Sequence, residues 1–147
     1  QIEKNLVPGH TFLDVGCGSG ILMIAAAKLG AAELTGIDTD QTAVDITAEN
    51  LAKNQVPRNR CLLFTGTLDQ VLPGRYDLIA ANIIAQTIAA MMQDIKKCMA
   101  PGARAILSGI IQERLPEVAD ALFSHGLEIA HKDTIDEWVT LTVVHKK

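Results

Sequence analysis

The sequence predicts an α/β fold, with an open, doubly wound sheet of seven mostly parallel strands and helices on both faces. Near the start, a glycine-rich turn joins an apolar strand to an apolar helix. Farther along, runs of strand length and helical spacing alternate, which is typical of parallel sheets. At the end, two β-rich runs are joined by a connection too short for a crossover helix, which predicts an antiparallel hairpin.

The glycine-rich turn lies within the stretch TFLDVGCGSG. An apolar strand over Thr11–Val15 leads into Gly16, Gly18 and Gly20, and a buried helix is expected over about Ser19–Leu29. Glycine adopts positive φ without penalty and lets a ligand approach the backbone closely. The helix that follows directs unpaired N–H groups and the positive end of its dipole towards that ligand.

The spacing of these glycines indicates which ligand to expect. A dinucleotide fingerprint places its third glycine at position 21, which here is Ile21. The observed pattern, with Asp14 two residues before Gly16, resembles motif I of class I methyltransferases, which use S-adenosylmethionine (SAM). The alternative is a tight turn that binds no ligand. Three closely spaced glycines disfavour it, because they weaken a turn that only connects two elements.

The first half of the chain continues this alternation. The end of a short helix is expected before Pro8-Gly9, and Asp40 is a plausible N-cap for the helix that follows the second strand. The expected strands are Glu33–Ile37, Arg60–Phe64 and Tyr76–Ala81.

The second half is expected to hold two more helices, one more parallel strand and the hairpin. Every strand before the hairpin is expected to be followed by a helix, and Pro101-Gly102 is expected to break the chain before the fifth strand. The expected elements are a helix over Gln86–Met99, a strand over Arg104–Leu107, a helix over Glu113–Ser124, and hairpin strands over Leu127–Lys132 and Trp138–Val144.

Length and composition restrict the class of protein. A chain of 147 residues is expected to form one domain, and no apolar run approaches the ~20 residues that span a bilayer. Three widely spaced cysteines suggest neither a disulfide framework nor a metal site, which is typical of a cytoplasmic protein. The net charge of −4 argues against direct binding of nucleic acid. Since the chain begins with Gln1 close to a sheet-forming segment, we expect further residues upstream.

Candidate cofactor-binding residues follow the first two strands, because ligands of open parallel sheets bind beyond the carboxyl ends of the strands. The loop residues Gly16, Cys17, Gly18 and Gly20 are expected to line the methionine part and ribose of SAM. The preceding carboxylate, Asp14, is expected to hold the turn or the ammonium group of SAM. After the second strand, Asp38 is expected to accept hydrogen bonds from both ribose hydroxyls, with a capping or solvated acid as the alternative. Thr39 is expected to flank the adenine.

Two more candidates follow the third and fourth strands. Thr67 stands where many SAM enzymes have an aspartate that contacts the adenine amino group, and its hydroxyl is a weaker acceptor. Asn82 is the candidate catalytic residue, expected to face the transferable methyl group and position an amine, with a simple strand cap as the alternative. The residues after Asn82 are aliphatic, which argues against a nucleobase substrate because no aromatic ring is available for stacking.

Several longer segments resemble one methyltransferase family across essentially the whole chain. They are DVGCGSGILMIAAAKLGA, GIDTDQTAV, ENLAKN, ANIIA, PGARAILSGI and EWVTLTVVHKK. They are similar to the catalytic domain of the Rossmann-like PrmA-type methyltransferases, which modify ribosomal protein L11. The resemblance implies methylation of lysine ε-amino or N-terminal α-amino groups, with Gly16, Asp38 and Asn82 in the cofactor and methyl-transfer site.

Two features of that family are not found in these 147 residues. They are the N-terminal domain that recognises the ribosomal protein and a threonine-containing loop that closes over SAM. We therefore expect residues 1–147 to be a SAM-binding methyltransferase domain, either excised from a longer protein or a divergent short member. The competing hypotheses are a small-molecule or RNA methyltransferase and a SAM-binding module without activity, because a fold alone does not determine the substrate. The sequence does not determine the oligomeric state.

Overall fold

The computed structural model describes residues 1–146, which form one seven-stranded sheet flanked by six α-helices. The strands are β1 (Thr11–Val15), β2 (Glu33–Asp38), β3 (Cys61–Thr65), β4 (Tyr76–Asn82), β5 (Met99–Ile111), β6 (Leu127–Ile135) and β7 (Trp138–His145). The helices are α1 (Ile2–Asn5), α2 (Ile21–Lys28), α3 (Gln41–Lys53), α4 (Ala85–Ala90), α5 (Met92–Cys98) and α6 (Leu115–Ser124).

The sheet has the order β3-β2-β1-β4-β5-β7-β6. The first five strands are parallel, and β7 pairs antiparallel with both β5 and β6. The predicted α/β class with a terminal hairpin is therefore confirmed. The chain reverses its direction across the sheet between β1 and β4, so the carboxyl ends of these two strands and of β2 form one edge at which a ligand can bind.

Two predictions about the helices are wrong. The segment between β3 and β4 contains only a 3₁₀ turn over Leu68–Gln70, so not every strand is followed by an α-helix. The helix expected over Gln86–Met99 is divided into α4 and α5 at Met91, whose ψ of 3° departs from helical geometry. The buried residues Ile88, Met92 and Ile95 continue the apolar stripe across this break. The sequence pattern therefore gives no sign that the helix is interrupted.

The fifth strand is longer than predicted and does not begin after Pro101-Gly102. It starts at Met99, which pairs with Tyr76, and the next pair joins Arg104 to Leu78. The residues between Met99 and Arg104 therefore form an irregularity opposite a single residue of β4. The proline and glycine distort the strand at this point, since neither is a good strand former.

The core has two layers because strand residues alternate between the faces of the sheet. On β1, Leu13 and Val15 contribute to the layer beneath α4, α5 and α6, whereas Phe12 contributes to the layer beneath α2. Among the helices described within residues 1–146, none combines the length and the hydropathy that a membrane-spanning helix needs.

Candidate cofactor and methyl-transfer site

The glycine-rich loop after β1 is fixed to the neighbouring strand by backbone hydrogen bonds. The N–H groups of Gly16 and Cys17 both donate to the carbonyl of Ile37, at 2.9 Å each. Gly16, Gly18 and Gly20 all have positive φ, at 73°, 54° and 76°. The three predicted glycines are thus needed for the path of the backbone, because other residues adopt this conformation only at a cost.

The carboxylate of Asp38 connects this loop to the start of α3. One oxygen accepts from the N–H of Gly18 at 3.1 Å, and the other accepts from the N–H of Asp40 at 3.1 Å. Asp40 in turn caps α3 as predicted, since its side chain accepts from the N–H of Thr42 at 2.8 Å. Asp38 is half-buried at the carboxyl end of β2, so its carboxylate is held in place and still reaches the surface.

Two residues of α3 that the sequence analysis did not identify support the loop from below. The buried hydroxyl of Thr47 donates to the carbonyl of Gly18 at 3.0 Å, and the amide of Asn50 donates to the carbonyl of Ser19 at 2.9 Å. A methyl group on Gly20 would lie 2.8 Å from the side chain of Thr47. These contacts fix the distance between α3 and the loop.

Asp14 lies entirely inside the protein, at 1% exposure. Within residues 1–146, neither carboxylate oxygen has a hydrogen-bond partner of normal geometry. Burial raises the pKa of Asp14 to about 7; the nearby N–H of Met23 partly opposes this rise, and the charge of Asp38 adds to it. The glycine loop is held by Asp38 and Thr47. Within residues 1–146, the expected hydrogen bonds from the turn to the Asp14 carboxylate are not formed, and the alternative contact of Asp14 with the ammonium group of SAM stays a prediction.

Cys17 presents its backbone to the loop and its side chain to the interior. The thiol is buried, and its sulfur lies within hydrogen-bond distance of the Thr47 hydroxyl, at 3.4 Å. Burial is also the main cause that raises the pKa of this thiol. Cys17 thus offers a ligand its main chain, which fits the predicted role of the loop backbone.

Asn82 is the last residue of β4 and its side chain is exposed. It pairs in register with Ser108 of β5, and the N–H of the next residue, Ile83, donates to the carbonyl of Ser108 at 3.2 Å. Ile83 also lies against Gly16, where an added methyl group would be 2.7 Å from the Ile83 side chain. The segment that carries Asn82 is therefore adjacent to the glycine loop, as predicted from the strand order.

Thr67 and Thr39 both lie at this edge of the sheet and are exposed. Thr67 caps the 3₁₀ turn after β3: its side chain bonds to the backbone of Gln70, and its N–H donates to the Gln70 side chain at 3.0 Å. Its hydroxyl also donates to Asp69. The hydroxyl thus has a local structural role, and the proposed adenine contact of Thr67 stays a prediction, as does that of Thr39.

A cavity of about 910 Å³ lies beside this site and not over the glycine loop. It extends from Asn82 across the uncovered face of β5, β7 and β6, between α2 and the hairpin. On its floor, the hydroxyls of Ser108 and Thr140 are 3.0 Å apart. Within residues 1–146, no group of three or more His, Cys, Asp or Glu side chains is arranged to hold a metal ion.

Comparison with known proteins identifies the family. The family model described as ribosomal protein L11 methyltransferase (PrmA) matches residues 1–146. A ribosomal protein L11 methyltransferase of Desulforapulum autotrophicum is 44% identical over 140 residues, which are 95% of this chain and 46% of that protein. The corresponding protein of Desulfosudis oleivorans is 42% identical over 143 residues, 96% of this chain and 47% of its own length.

Solved structures agree with the sequence comparison. A ribosomal protein L11 methylase from Lactobacillus delbrueckii subsp. bulgaricus superposes with a TM-score of 0.93 at 33% identity, over 99% of this chain and 75% of that chain. A TehB-like SAM-dependent methyltransferase from Corynebacterium glutamicum has a TM-score of 0.80 at 18% identity, over 99% of this chain and 85% of that chain. At this low identity the similarity supports only a shared fold. The chain spans about half the length of the curated relatives that it matches. The chain belongs to the PrmA family of ribosomal protein L11 methyltransferases.

Proposed function

We propose that this chain binds SAM and transfers its methyl group to protein amino groups, with ribosomal protein L11 as the substrate. The observation that carries the proposal is the joining of three features at one edge of the sheet. These are the glycine loop, the fixed carboxylate of Asp38 and the exposed amide of Asn82. The names of the matching relatives support the choice of substrate. Methylation of a ribosomal protein would place the enzyme in the cytoplasm.

The geometry of the loop fits the proposed cofactor. A methyl group added to Gly18 would meet only the carbonyl of Gly16, at 3.9 Å, so a ligand can approach the backbone at this point. The half-exposed carboxylate of Asp38 is suited to accept hydrogen bonds from a pair of ribose hydroxyls. We infer that Gly16, Cys17, Gly18 and Gly20 hold the methionine part and ribose through their backbone.

The chemistry requires positioning more than it requires a strong catalytic group. SAM supplies a methyl group already activated by its sulfonium. The Asn82 amide lies at the end of β4 and offers an oxygen that can accept a hydrogen bond from the incoming amine. A lysine amine has an ordinary pKa of ~10.4, so it must lose a proton before it reacts, and removal from water favours the neutral form.

The test of this function is transfer of labelled methyl groups from SAM to purified ribosomal protein L11. We expect this chain and its full-length relatives to methylate wild-type L11, and neither to methylate an L11 variant without its amine acceptors. In a thermal-shift assay SAM should stabilise the chain, by roughly 2.7 kcal/mol at 100 times its Kd, and NAD should not. Stabilisation by NAD alone would refute the cofactor assignment. Transfer to RNA or a small molecule in place of L11 would refute the substrate, and SAM binding without any transfer would indicate a binding module.

Asp38→Asn is expected to weaken SAM binding by roughly 10–100-fold, because a charge-assisted hydrogen bond contributes about 1.5–3 kcal/mol. In this variant the hydrogen bond from the N–H of Gly18, which holds the loop, is accepted by a neutral amide oxygen and not by a charged carboxylate. Isothermal titration calorimetry measures the affinity, and Asp45→Asn, an exposed carboxylate on α3, is the matched control. Equal SAM affinity in the Asp38 variant and wild type would show that Asp38 does not contact the ribose.

Asn82→Ala is expected to slow methyl transfer at least tenfold while changing SAM affinity less than threefold, because an interaction made only as the amine approaches affects the rate of the chemical step. The measurement is single-turnover transfer at saturating SAM, in a protein that is active before the change. Asn54→Ala, at the exposed end of α3, is the control. If the Asn82→Ala variant had the single-turnover rate of wild type, Asn82 would serve only as a cofactor contact or as a strand cap.

A further inference from the structure

Asp14 is a buried carboxyl group that the proposed reaction does not use. It lies in the central strand β1, opposite Gly36 of β2 and Ala80 of β4, two residues before the first loop glycine. Its side chain is 1% exposed, and neither oxygen has a hydrogen-bond partner of normal geometry within residues 1–146. A charged carboxylate in such a place is costly, because it has lost its water and has not gained a partner.

The groups around Asp14 favour its neutral form in the free protein. Asp38 at the end of β2 contributes a like charge, and the thiol of Cys17 in the loop is a second acidic group nearby. The paired residues on β2 and β4 are a glycine and an alanine, which carry no charge. From α2, only the backbone N–H of Met23 and the positive end of the helix dipole favour the anion.

We propose that Asp14 is the residue through which the site distinguishes SAM from its demethylated product, by exchanging its proton for the positive charge of the cofactor. This inference rests on the proposed function, since it takes the glycine loop as the binding site of SAM. SAM carries a positive sulfonium charge that the product lacks. Only SAM can therefore fully balance the negative charge of a nearby carboxylate. The exchange converts the carboxylic acid into a carboxylate and releases one proton to the solvent, and no bond to carbon changes.

The size of the effect follows from proton linkage. Burial raises the pKa of Asp14 to about 7 in the free protein, so about half of the molecules carry the proton at pH 7. Binding of a cation lowers the pKa of Asp14, so the molecules that carry a proton on Asp14 release it when SAM binds. As the pH falls below 7, a growing share of the protein must lose a proton before it binds SAM well. SAM affinity therefore decreases as the pH falls and becomes constant above about pH 8.

The experiment is calorimetric titration of the purified chain with SAM and, separately, with the demethylated product, in two buffers of different ionisation enthalpy at pH 7. For wild type we expect release of about half a proton with SAM and a smaller release with the product. From pH 6 to pH 8 the preference for SAM over the product should rise at least threefold. Asp14→Asn should release no proton from this site and keep a constant preference over the same range.

Controls separate this inference from the proposed function. Asp40→Asn, an exposed cap next to the site, should behave as wild type, and the ligand's own amino group titrates equally in all variants. Thermal denaturation of each variant confirms that it is folded. Absence of SAM binding to wild type would refute the proposed function itself. SAM binding without proton release, or equal release in Asp14→Asn and wild type, would overturn the role of Asp14 and leave the proposed function intact.

Discussion

Replacement of Gly109 by alanine is expected to destabilise the protein by about 2–5 kcal/mol and to disrupt the candidate methyl-transfer site. Gly109 has a φ of +82°, where alanine costs about 1–2 kcal/mol. An added methyl group would lie 2.5 Å from the carbonyl oxygen of Ile83 and 3.1 Å from its nitrogen. These are backbone atoms that cannot rotate away, so the segment after Asn82 must move, which adds an overpacking cost of about 1–3 kcal/mol.

Gly102→Ala is the matched control for this experiment. Gly102 lies on the same strand with a φ of +80°, but an added methyl group there meets nothing within 4 Å. Its substitution should therefore cost only the conformational term, about 1–2 kcal/mol. Urea denaturation gives the free energy of unfolding, and methyl transfer by the folded fraction reports the site, because a displacement of about 1 Å can reduce a rate 10²-fold. Equal stabilities of the two variants would show that Ile83 does not press on Gly109.

The second large effect is expected from Asp14→Asn, whose stability relative to wild type should increase with pH. The pKa of Asp14 is raised from 3.8 to about 7 by burial, so folding favours the protonated form. Between these values the unfolded chain ionises and the folded protein does not, which costs wild type about 1.4 kcal/mol per pH unit. The accumulated cost approaches about 4 kcal/mol above pH 7 and is absent in the asparagine variant.

This prediction concerns how the stability difference between the two proteins changes with pH, and not its absolute value. A buried asparagine without partners has a destabilising effect of its own, which does not depend on pH. The measurement is the free energy of unfolding of both proteins in urea at several pH values from 4 to 8.5. The difference between them should increase up to about pH 7 and then become constant. A difference that stays constant across this range would show that Asp14 ionises in the folded protein as easily as in the unfolded chain.

The sequence alone was sufficient to predict the fold class and the edge of the sheet at which the candidate residues meet. Apolar runs of strand length show where strands begin, and the glycines after β1 require positive φ wherever the chain makes this turn. Because the carboxyl ends of parallel strands lie at one edge, Asp38 and Asn82 are expected near the loop without coordinates. Each of these inferences depends on neighbouring residues in the chain or on strand order, and both are visible in the sequence.

The tertiary structure alone decided which side chains support that site. Thr47 and Asn50 hold the loop from α3, about 30 residues away in the chain, and no periodicity marks them as different from other helix residues. Similarly, Asp14 was expected to hold the turn or the ammonium group of SAM, but the packing of β1 between β2 and β4 buries it, and within residues 1–146 its oxygens have no hydrogen-bond partner of normal geometry. The sequence determines which residues can form a strand, a turn or a helix. Distances between segments remote in the chain are determined only when the two core layers pack, and the burial, charge and close contacts of this site depend on those distances.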